Sequence, residues 1–324
     1  MSRPTGGPTP EIFGLAEVDV PDPAHGEVQV RNLYMSLDPA IQGRLYAGNS
    51  YVPAFEVGAP LEARAVGEVI ASNSPALKEG DLVLSSFGWR EVFNAPAERV
   101  EKLDTLGLPP QAFLGIAGMT GLTAYVGLTR IAEVQASETV FISAASGAVG
   151  SAACQLAKAR GCRVIGSAGS PAKVAFLEEL GVDATIDYKA VPSLSKALAE
   201  AAPSGLDVYF DNVGGSHLEA AIARAKPFAR FAICGMISAY NPSQPATGPR
   251  NLMLIPGKRL KLLGFLVGDH ADLTKPFLDE IVGLHREGRL NMRETVFEGV
   301  ERAPEAFLGL FTGANTGKML VKLS

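Results

Sequence analysis

The sequence predicts two domains, a mainly β domain followed by an α/β domain built on a doubly wound parallel sheet. Three observations carry that prediction. Up to about residue 105 the apolar runs are short and alternating; from residue 139 buried strand patterns alternate with helical ones; and 324 residues suit about two domains.

In the first part, residues 28–33, 65–70, 81–84 and 89–93 read as strands, punctuated by Pro23, Gly26, Pro75, Gly80 and Pro96. After Gly107-Leu108-Pro109-Pro110 the rhythm changes. Residues 140–143 form a buried strand pattern, and Val149, Ala153 and Leu156 follow at helical spacing. A second strand, 163–167, leads to Ser170-Pro171, a capping residue followed by proline at the first helical position. Val174, Leu177 and Leu180 predict the apolar face of that helix, and Gly181 its end. Further strands are expected at 184–187, 207–210, 230–234 and 261–267, with helices at 194–202, 217–225 and 276–287 between and after them. Past Gly288 the alternation ends in a strand (294–297), a short helix (304–311) and a last strand (319–321). Periodicity does not say which domain this tail joins.

Composition removes several classes of function. Lys and Arg number 29 against 34 Asp and Glu, a net charge of −5 with both signs scattered, which argues against a protein that tracks a nucleic-acid backbone. Residues 139–157 carry no charge, but Ser143, Ser146, Gly147, Gly150, Ser151 and Gln155 make them a soluble strand-turn-helix and not a membrane span. Three cysteines without a Cys-x-x-Cys pair exclude a disulfide framework and suit a reducing, cytoplasmic compartment. Residues 1–8 lack the apolar core of a signal peptide, so no export is expected. His25, His217, His270 and His285 are dispersed, and with Cys154, Cys162 and Cys234 they show no zinc-ligand spacing, so no metal is expected. Each histidine is expected on the surface or at a helix cap. No Gly-x-Ser-x-Gly elbow is present, and neither Gly257-Lys258 nor Gly317-Lys318 completes a P-loop.

The candidate chemistry sits after the strands of the second part. Ala145-Ser146-Gly147-Ala148-Val149-Gly150 joins the first strand to the first helix and matches the dinucleotide fingerprint with Ala for the first Gly. Glycine lets backbone approach a pyrophosphate, and the helix N-terminus offers free N–H groups. A tight structural turn is the competing reading. After the second strand, Ser167-Ala168-Gly169-Ser170 supplies no acidic partner for a ribose hydroxyl, and Lys173 follows; small residues and a cation suit a ribose phosphate, which favours NADPH over NADH. A solvated lysine would look the same. Residues 211–215 (Asp-Asn-Val-Gly-Gly) and 234–241 (Cys-Gly-Met-Ile-Ser-Ala-Tyr-Asn) end the fourth and fifth strands, where ligands of such sheets bind. Turn-forming residues and a core tyrosine are the plain alternatives there.

Together with Ser36-Leu37-Asp38-Pro39, the run 118–125 (Gly-Met-Thr-Gly-Leu-Thr-Ala-Tyr) and the run 313–318 (Gly-Ala-Asn-Thr-Gly-Lys), these motifs resemble the medium-chain dehydrogenase/reductase superfamily. Within it the chain is similar to the zinc-independent branch of prostaglandin reductases, alkenal double-bond reductases and curcumin-reductase-like enzymes, over nearly its whole length. The resemblance implies a GroES-like mainly β catalytic domain (1–118 and 291–324) and a Rossmann NADP-binding domain (119–290), with the active site in the cleft between them. It implies Gly147, Ala148, Val149 and Gly150 at the pyrophosphate and Lys173 and Tyr188 at the ribose phosphate. Asn212, Cys234, Gly235, Ser238, Tyr240, Phe265, Leu266, Val267 and Asn315 would line the rest of the site, with Met119 and Thr123 near the nicotinamide.

The implied reaction is NADPH-dependent reduction of the double bond of α,β-unsaturated aldehydes or ketones, by a homodimer, with hydride delivered to the β carbon. Tyr240, as a hydrogen-bond donor to ribose or enolate oxygen, is the catalytic candidate. Ala40 and Gln42 stand where many relatives carry tyrosine and arginine, and Gly257 near where many carry another tyrosine; Tyr46 and Tyr51 are candidate substitutes or plain surface residues. The alternatives are a quinone reductase, a nucleotide-binding structural protein without chemistry, and a methyltransferase, the last disfavoured by the missing acidic ribose partner.

Overall fold

The computed structural model describes residues 2–47, 52–240 and 248–324, so Tyr51 and Asn241 lie outside the described residues. The chain divides into two units, Met1–Gly115 with Arg293–Ser324, and Ile116–Met292.

The first unit opens with β1 (Glu27–Ser36), α1 (Ile41–Arg44), β2 (Ala65–Ser72), β3 (Leu82–Ser85), β4 (Val92–Pro96) and β5 (Glu101–Lys102). The second contains α2 (Met119–Val126), β6 (Thr139–Ile142), α3 (Ala148–Ala159), β7 (Arg163–Ala168), α4 (Pro171–Glu179), β8 (Ala184–Asp187), α5 (Leu194–Ala201) and β9 (Leu206–Asp211). It continues through α6 (Gly215–Arg224), β10 (Ala225–Ile233), α7 (Leu254–Lys258), β11 (Lys261–Gly264) and α8 (Thr274–Arg286). The first unit then resumes with β12 (Glu294–Glu298), α9 (Ala303–Thr312) and β13 (Lys318–Lys322).

In the first unit a mixed sheet runs β12-β13-β1-β2-β3-β5, with β4 also paired to β1. β13 pairs antiparallel with β1, Met35 opposite Val321, and this pairing brings the tail home. A buried ion pair locks the same junction: Lys318 Nζ donates to Asp38 Oδ1 at 2.6 Å and to the Leu37 carbonyl at 2.8 Å. Tyr46 ties the chain's start down by donating from its hydroxyl to the Gly6 carbonyl at 2.7 Å.

The second unit is the doubly wound sheet, all parallel, in the order β11-β10-β9-β6-β7-β8. Its central strands β6, β7 and β9 are largely apolar because both faces are covered. Phe141, Ile165, Tyr209 and Phe231 of the strands pack with Leu198 of α5 and Leu218 and Ile222 of α6. Local signals set the helix ends: the Ser170 hydroxyl accepts the Lys173 N–H, Pro171 starts α4, and Gly181 leaves it at φ +73°.

Four expectations need correction. The strand expected at 89–93 begins only at Val92, because Trp89 turns with φ +59° and donates its N–H to the Met35 thioether sulfur, Sδ, at 3.0 Å. The strand expected to reach Val267 stops at Gly264, and a 3₁₀ turn takes over at Val267–Leu273. On α4 the buried side chains are Phe176 and Leu177, while Val174 and Leu180 are half-buried, since the apolar residues Ala172, Val174, Ala175, Phe176 and Leu177 are spread around the helix and do not line up on one face. Helix α2 was not foreseen, because its Thr and Gly positions, Thr120 and Gly121, are themselves buried and blur the apolar stripe.

Candidate functional site

The glycine turn lies where the fingerprint predicts, between β6 and α3. The Ala145 N–H donates to the Ser167 carbonyl at 2.9 Å, Gly147 N–H donates to the Ala144 carbonyl at 3.0 Å, and Ala144 adopts φ +46°. A Cβ on Gly150 would stand 2.3 Å from the Ala144 carbonyl oxygen, so only glycine permits this approach of helix to turn. Ser151 N–H, on Gly147 O at 2.8 Å, begins the α-helical ladder. The N–H groups of Ala148, Val149 and Gly150 therefore have no acceptor within the helix, and Gly147 brings no capping side chain.

The loops after β9 and β10 clasp each other. Ser238 donates its hydroxyl to the Val213 carbonyl at 2.5 Å, its N–H reaches the same oxygen, and Ile237 N–H reaches the Asn212 carbonyl. Gly214 and Gly215, both at positive φ, keep space for Met236 and Ser238. Tyr240 closes the short 3₁₀ turn Ile237–Ala239, is 37% exposed, and holds its hydroxyl over Gly235. That exposure is inconsistent with a core-packing tyrosine.

Beneath the loops lies a buried network that sequence reading missed. Asp211 Oδ1 accepts from the Tyr209 hydroxyl at 2.7 Å, from the Val213 and Gly214 N–H groups at 2.8 Å each, and from Ser143 Oγ at 3.2 Å. Ser143 Oγ accepts the Asn212 N–H, and Asn212 Nδ2 donates to the Ser143 carbonyl. Asp211 Oδ2 is buried without a partner, and burial holds the carboxyl above its ordinary range. The same burial, with Asp211 nearby, pushes the half-buried Cys234 thiol up to about 12, which makes it inert as a nucleophile.

At the far edge, Lys173 sits half-buried in the first turn of α4, and burial, then Lys189, lowers its ionisation. Tyr188 follows β8; a Cβ on Gly169 would come within 2.9 Å of its hydroxyl. His217 is not the surface or capping residue expected. It is 3% exposed in the first turn of α6, parallel to Phe141 and edge-on to Tyr188 at 5.0 Å between ring centroids. Neither ring nitrogen has a partner, and burial drops its ionisation to about 4. One neutral ring thus joins the Tyr188 edge to the 212–215 loop, a role for which a lone histidine gives no sequence signal.

The other residues named from the sequence lie apart from these loops in the chain. Thr123 donates its hydroxyl to the Met119 carbonyl within α2, leaving Met119 38% exposed. Phe265 packs edge-on to Phe210 beside Gly127, with Leu266 exposed and Val267 half-buried. Asn315 belongs to the first unit, where its Nδ2 donates to the Gly317 carbonyl. Gly257 has open space around its Cα.

A glycine turn, two clasped loops at strand C-termini and a cationic edge with no carboxylate in the loop after β7 define a nucleotide-binding oxidoreductase fold. Two family models match: an N-terminal domain of oxidoreductase over residues 1–103, and a zinc-binding dehydrogenase over residues 148–283. The chain is 41% identical, over 92% of its length and 88% of the relative's, to a 2-alkenal reductase (NADP(+)-dependent) of Nicotiana tabacum. It is 36% identical to the NADPH-dependent curcumin reductase of Escherichia coli (strain K12), covering 100% and 95%. The crystal structure of CurA in complex with NADPH from Vibrio vulnificus superposes with a TM-score of 0.93 at 37% identity, covering 100% and 97%. The chain belongs to the medium-chain dehydrogenase/reductase family, in the group of prostaglandin, alkenal and curcumin reductases.

The second family's description implies zinc, and the residues do not fit it. Among the described residues no three His, Cys, Asp or Glu side chains converge as ligands, and Cys154, Cys162 and Cys234 are free and dispersed in the chain.

Proposed function

We propose that this protein is an NADPH-dependent ene reductase, saturating the carbon–carbon double bond of α,β-unsaturated aldehydes and ketones. The observation that carries the reading is 41% identity, over 92% of the chain, to a 2-alkenal reductase, joined to a nucleotide site whose loop after β7 offers Lys173 and no carboxylate.

The residues fit the dinucleotide. The N–H groups of Ala148, Val149 and Gly150 face no helical acceptor and would hold the pyrophosphate; Lys173 and Tyr188 would take the ribose phosphate. Asn212, Cys234, Gly235, Ser238, Phe265, Leu266 and Val267 would line the remainder, with Met119 and Thr123 toward the nicotinamide. Bound NADPH supplies a hydride for the β carbon of the substrate. Asp211 and Ser143 hold the loops in place before binding, so little ordering remains to be done when it occurs. Tyr240, 37% exposed, would donate a hydrogen bond from its hydroxyl to the ribose or to the carbonyl oxygen as enolate charge develops. A Tyr240→Phe enzyme should turn over at least about tenfold more slowly; unchanged turnover removes the assignment.

A small-molecule substrate, a homodimer and a cytoplasmic location belong to the same proposal. Among the described residues β11 is an unpaired edge of the six-stranded sheet and carries Leu263 45% exposed, an edge that a second copy would cover. Among the described residues no helix is long and apolar enough to cross a membrane. The test is oxidation of NADPH and NADH with a simple enal and a simple enone, followed by mass analysis. A saturated carbonyl formed preferentially from NADPH supports the reading. Hydroquinone formation from quinones alone, or no turnover, rejects it.

A further inference from the structure

The two strand ends at the ribose edge run side by side. β7 and β8 are paired with Ala168 opposite Asp187, and Tyr188 N–H donates to the Ala168 carbonyl at 3.0 Å. Tyr188 lies against Gly169, where a Cβ would come within 2.9 Å of its hydroxyl, and the chain then turns over 188–190, so Lys189 leaves the end of β8 next to the residue that meets the β7–α4 connection. Lys173 is in the first turn of that helix. The Lys189 backbone is fixed by its N–H on Asp187 Oδ1 at 3.1 Å.

Two ammonium groups therefore share one edge of the sheet. Among the described residues neither Nζ enters an ion pair, while Lys158, Lys226 and Lys275 each hold a carboxylate. The charge of Lys189 reaches Lys173 and adds to burial in disfavouring its protonated form. Asp187 stands at the same strand end but, among the described residues, pairs with neither ammonium, and two like charges held close repel in the free protein, a cost removed when an anion of higher charge enters. Gly169 leaves Tyr188 free to lie between the strand ends, as any Cβ there would strike its ring.

We propose that Lys189 is a second cation for the ribose phosphate, and that with Lys173 it determines the preference for NADPH over NADH. The inference rests on the nucleotide reading above and adds to it a residue that the family resemblance did not assign. A phosphate bearing nearly two negative charges gains from both lysines, whereas the hydroxyl of NADH gains from neither.

The experiment measures NADPH and NADH dissociation constants of the full chain by fluorescence titration for Lys189→Ala, Lys189→Glu, Lys189→Arg and Lys173→Ala. Lys189→Ala should weaken NADPH roughly 3- to 10-fold and leave NADH within about twofold, Lys189→Glu should weaken NADPH further, and Lys189→Arg should restore it. Equal weakening of both nucleotides by Lys189→Ala would mark a structural effect and overturn the inference. Unchanged NADPH binding in Lys189→Ala, with discrimination lost in Lys173→Ala, would overturn it while sparing the parent reading. Discrimination intact in Lys173→Ala and Lys189→Ala alike would overturn both.

Discussion

Replacing His217 by phenylalanine should flatten the acid side of the protein's stability profile. The imidazole is 3% exposed, its ring nitrogens have no partners, and its ionisation falls from 6.5 to about 4 through burial. A histidine whose folded ionisation lies below its unfolded value stabilises fully above the unfolded value, and that stability is lost as pH falls toward the folded one. Linkage with these two values gives a loss of about 2 kcal/mol between about pH 7 and pH 5, of a total near 3 kcal/mol. Asp211 works the other way, since its raised ionisation makes the folded state bind a proton more readily as pH falls. That contribution is common to both proteins and cancels in their comparison. At neutral pH, phenylalanine removes two unsatisfied nitrogens, a gain of about 1–3 kcal/mol, against a similar cost for a larger ring beside Phe141 and Tyr188. The quantity to read is therefore the change in unfolding free energy from pH 7 to pH 5, by urea titration of each protein. Wild type should lose about 2 kcal/mol more than His217→Phe. Equal losses would refute the buried neutral imidazole.

Two further comparisons test the buried ion pair of the first unit and the glycine turn of the second. Lys318→Met strands Asp38 and the Leu37 carbonyl without their cation and should cost about 3–5 kcal/mol in urea unfolding, with Asp38→Asn added to it recovering part; a cost under about 1 kcal/mol would contradict a buried pair. Gly150→Ala must push the Ala144 carbonyl away from 2.3 Å, whereas Gly147→Ala meets the same oxygen at 3.3 Å. NADPH affinity should therefore fall at least about tenfold more in Gly150→Ala than in Gly147→Ala, and equal affinities in a titration would show that the close turn is not what the nucleotide needs.

Features of this protein that depend on neighbours in the chain were legible as sequence. The strand-turn-helix around Gly147 and Gly150, the Ser170-Pro171 start of α4 and the stop at Gly181 are each set by backbone chemistry within a few residues. The alternation of strand and helix likewise predicted a doubly wound sheet, because a buried parallel strand and a half-buried helix have different apolar periods. Trp89 shows the limit: its apolar pattern extends a strand, while its positive φ, compatible with few side chains, ends it.

Tertiary structure alone decided which groups of distant residues share a site. Asp211 could be read as part of a glycine loop, but only folding places Ser143 and Tyr209 on its carboxylate, 68 and 2 residues away in the chain. Lys189 looks like any surface lysine until β7 and β8 pair and bring its neighbour Tyr188 against Gly169. His217 passes for a surface histidine until Phe141 and Tyr188 close on it, and the tail has no evident home until β13 finds β1. The physical reason is common to all four: strand register and side-chain burial are settled by long-range packing, and a residue's charge state and partners follow from that packing, not from its neighbours in sequence.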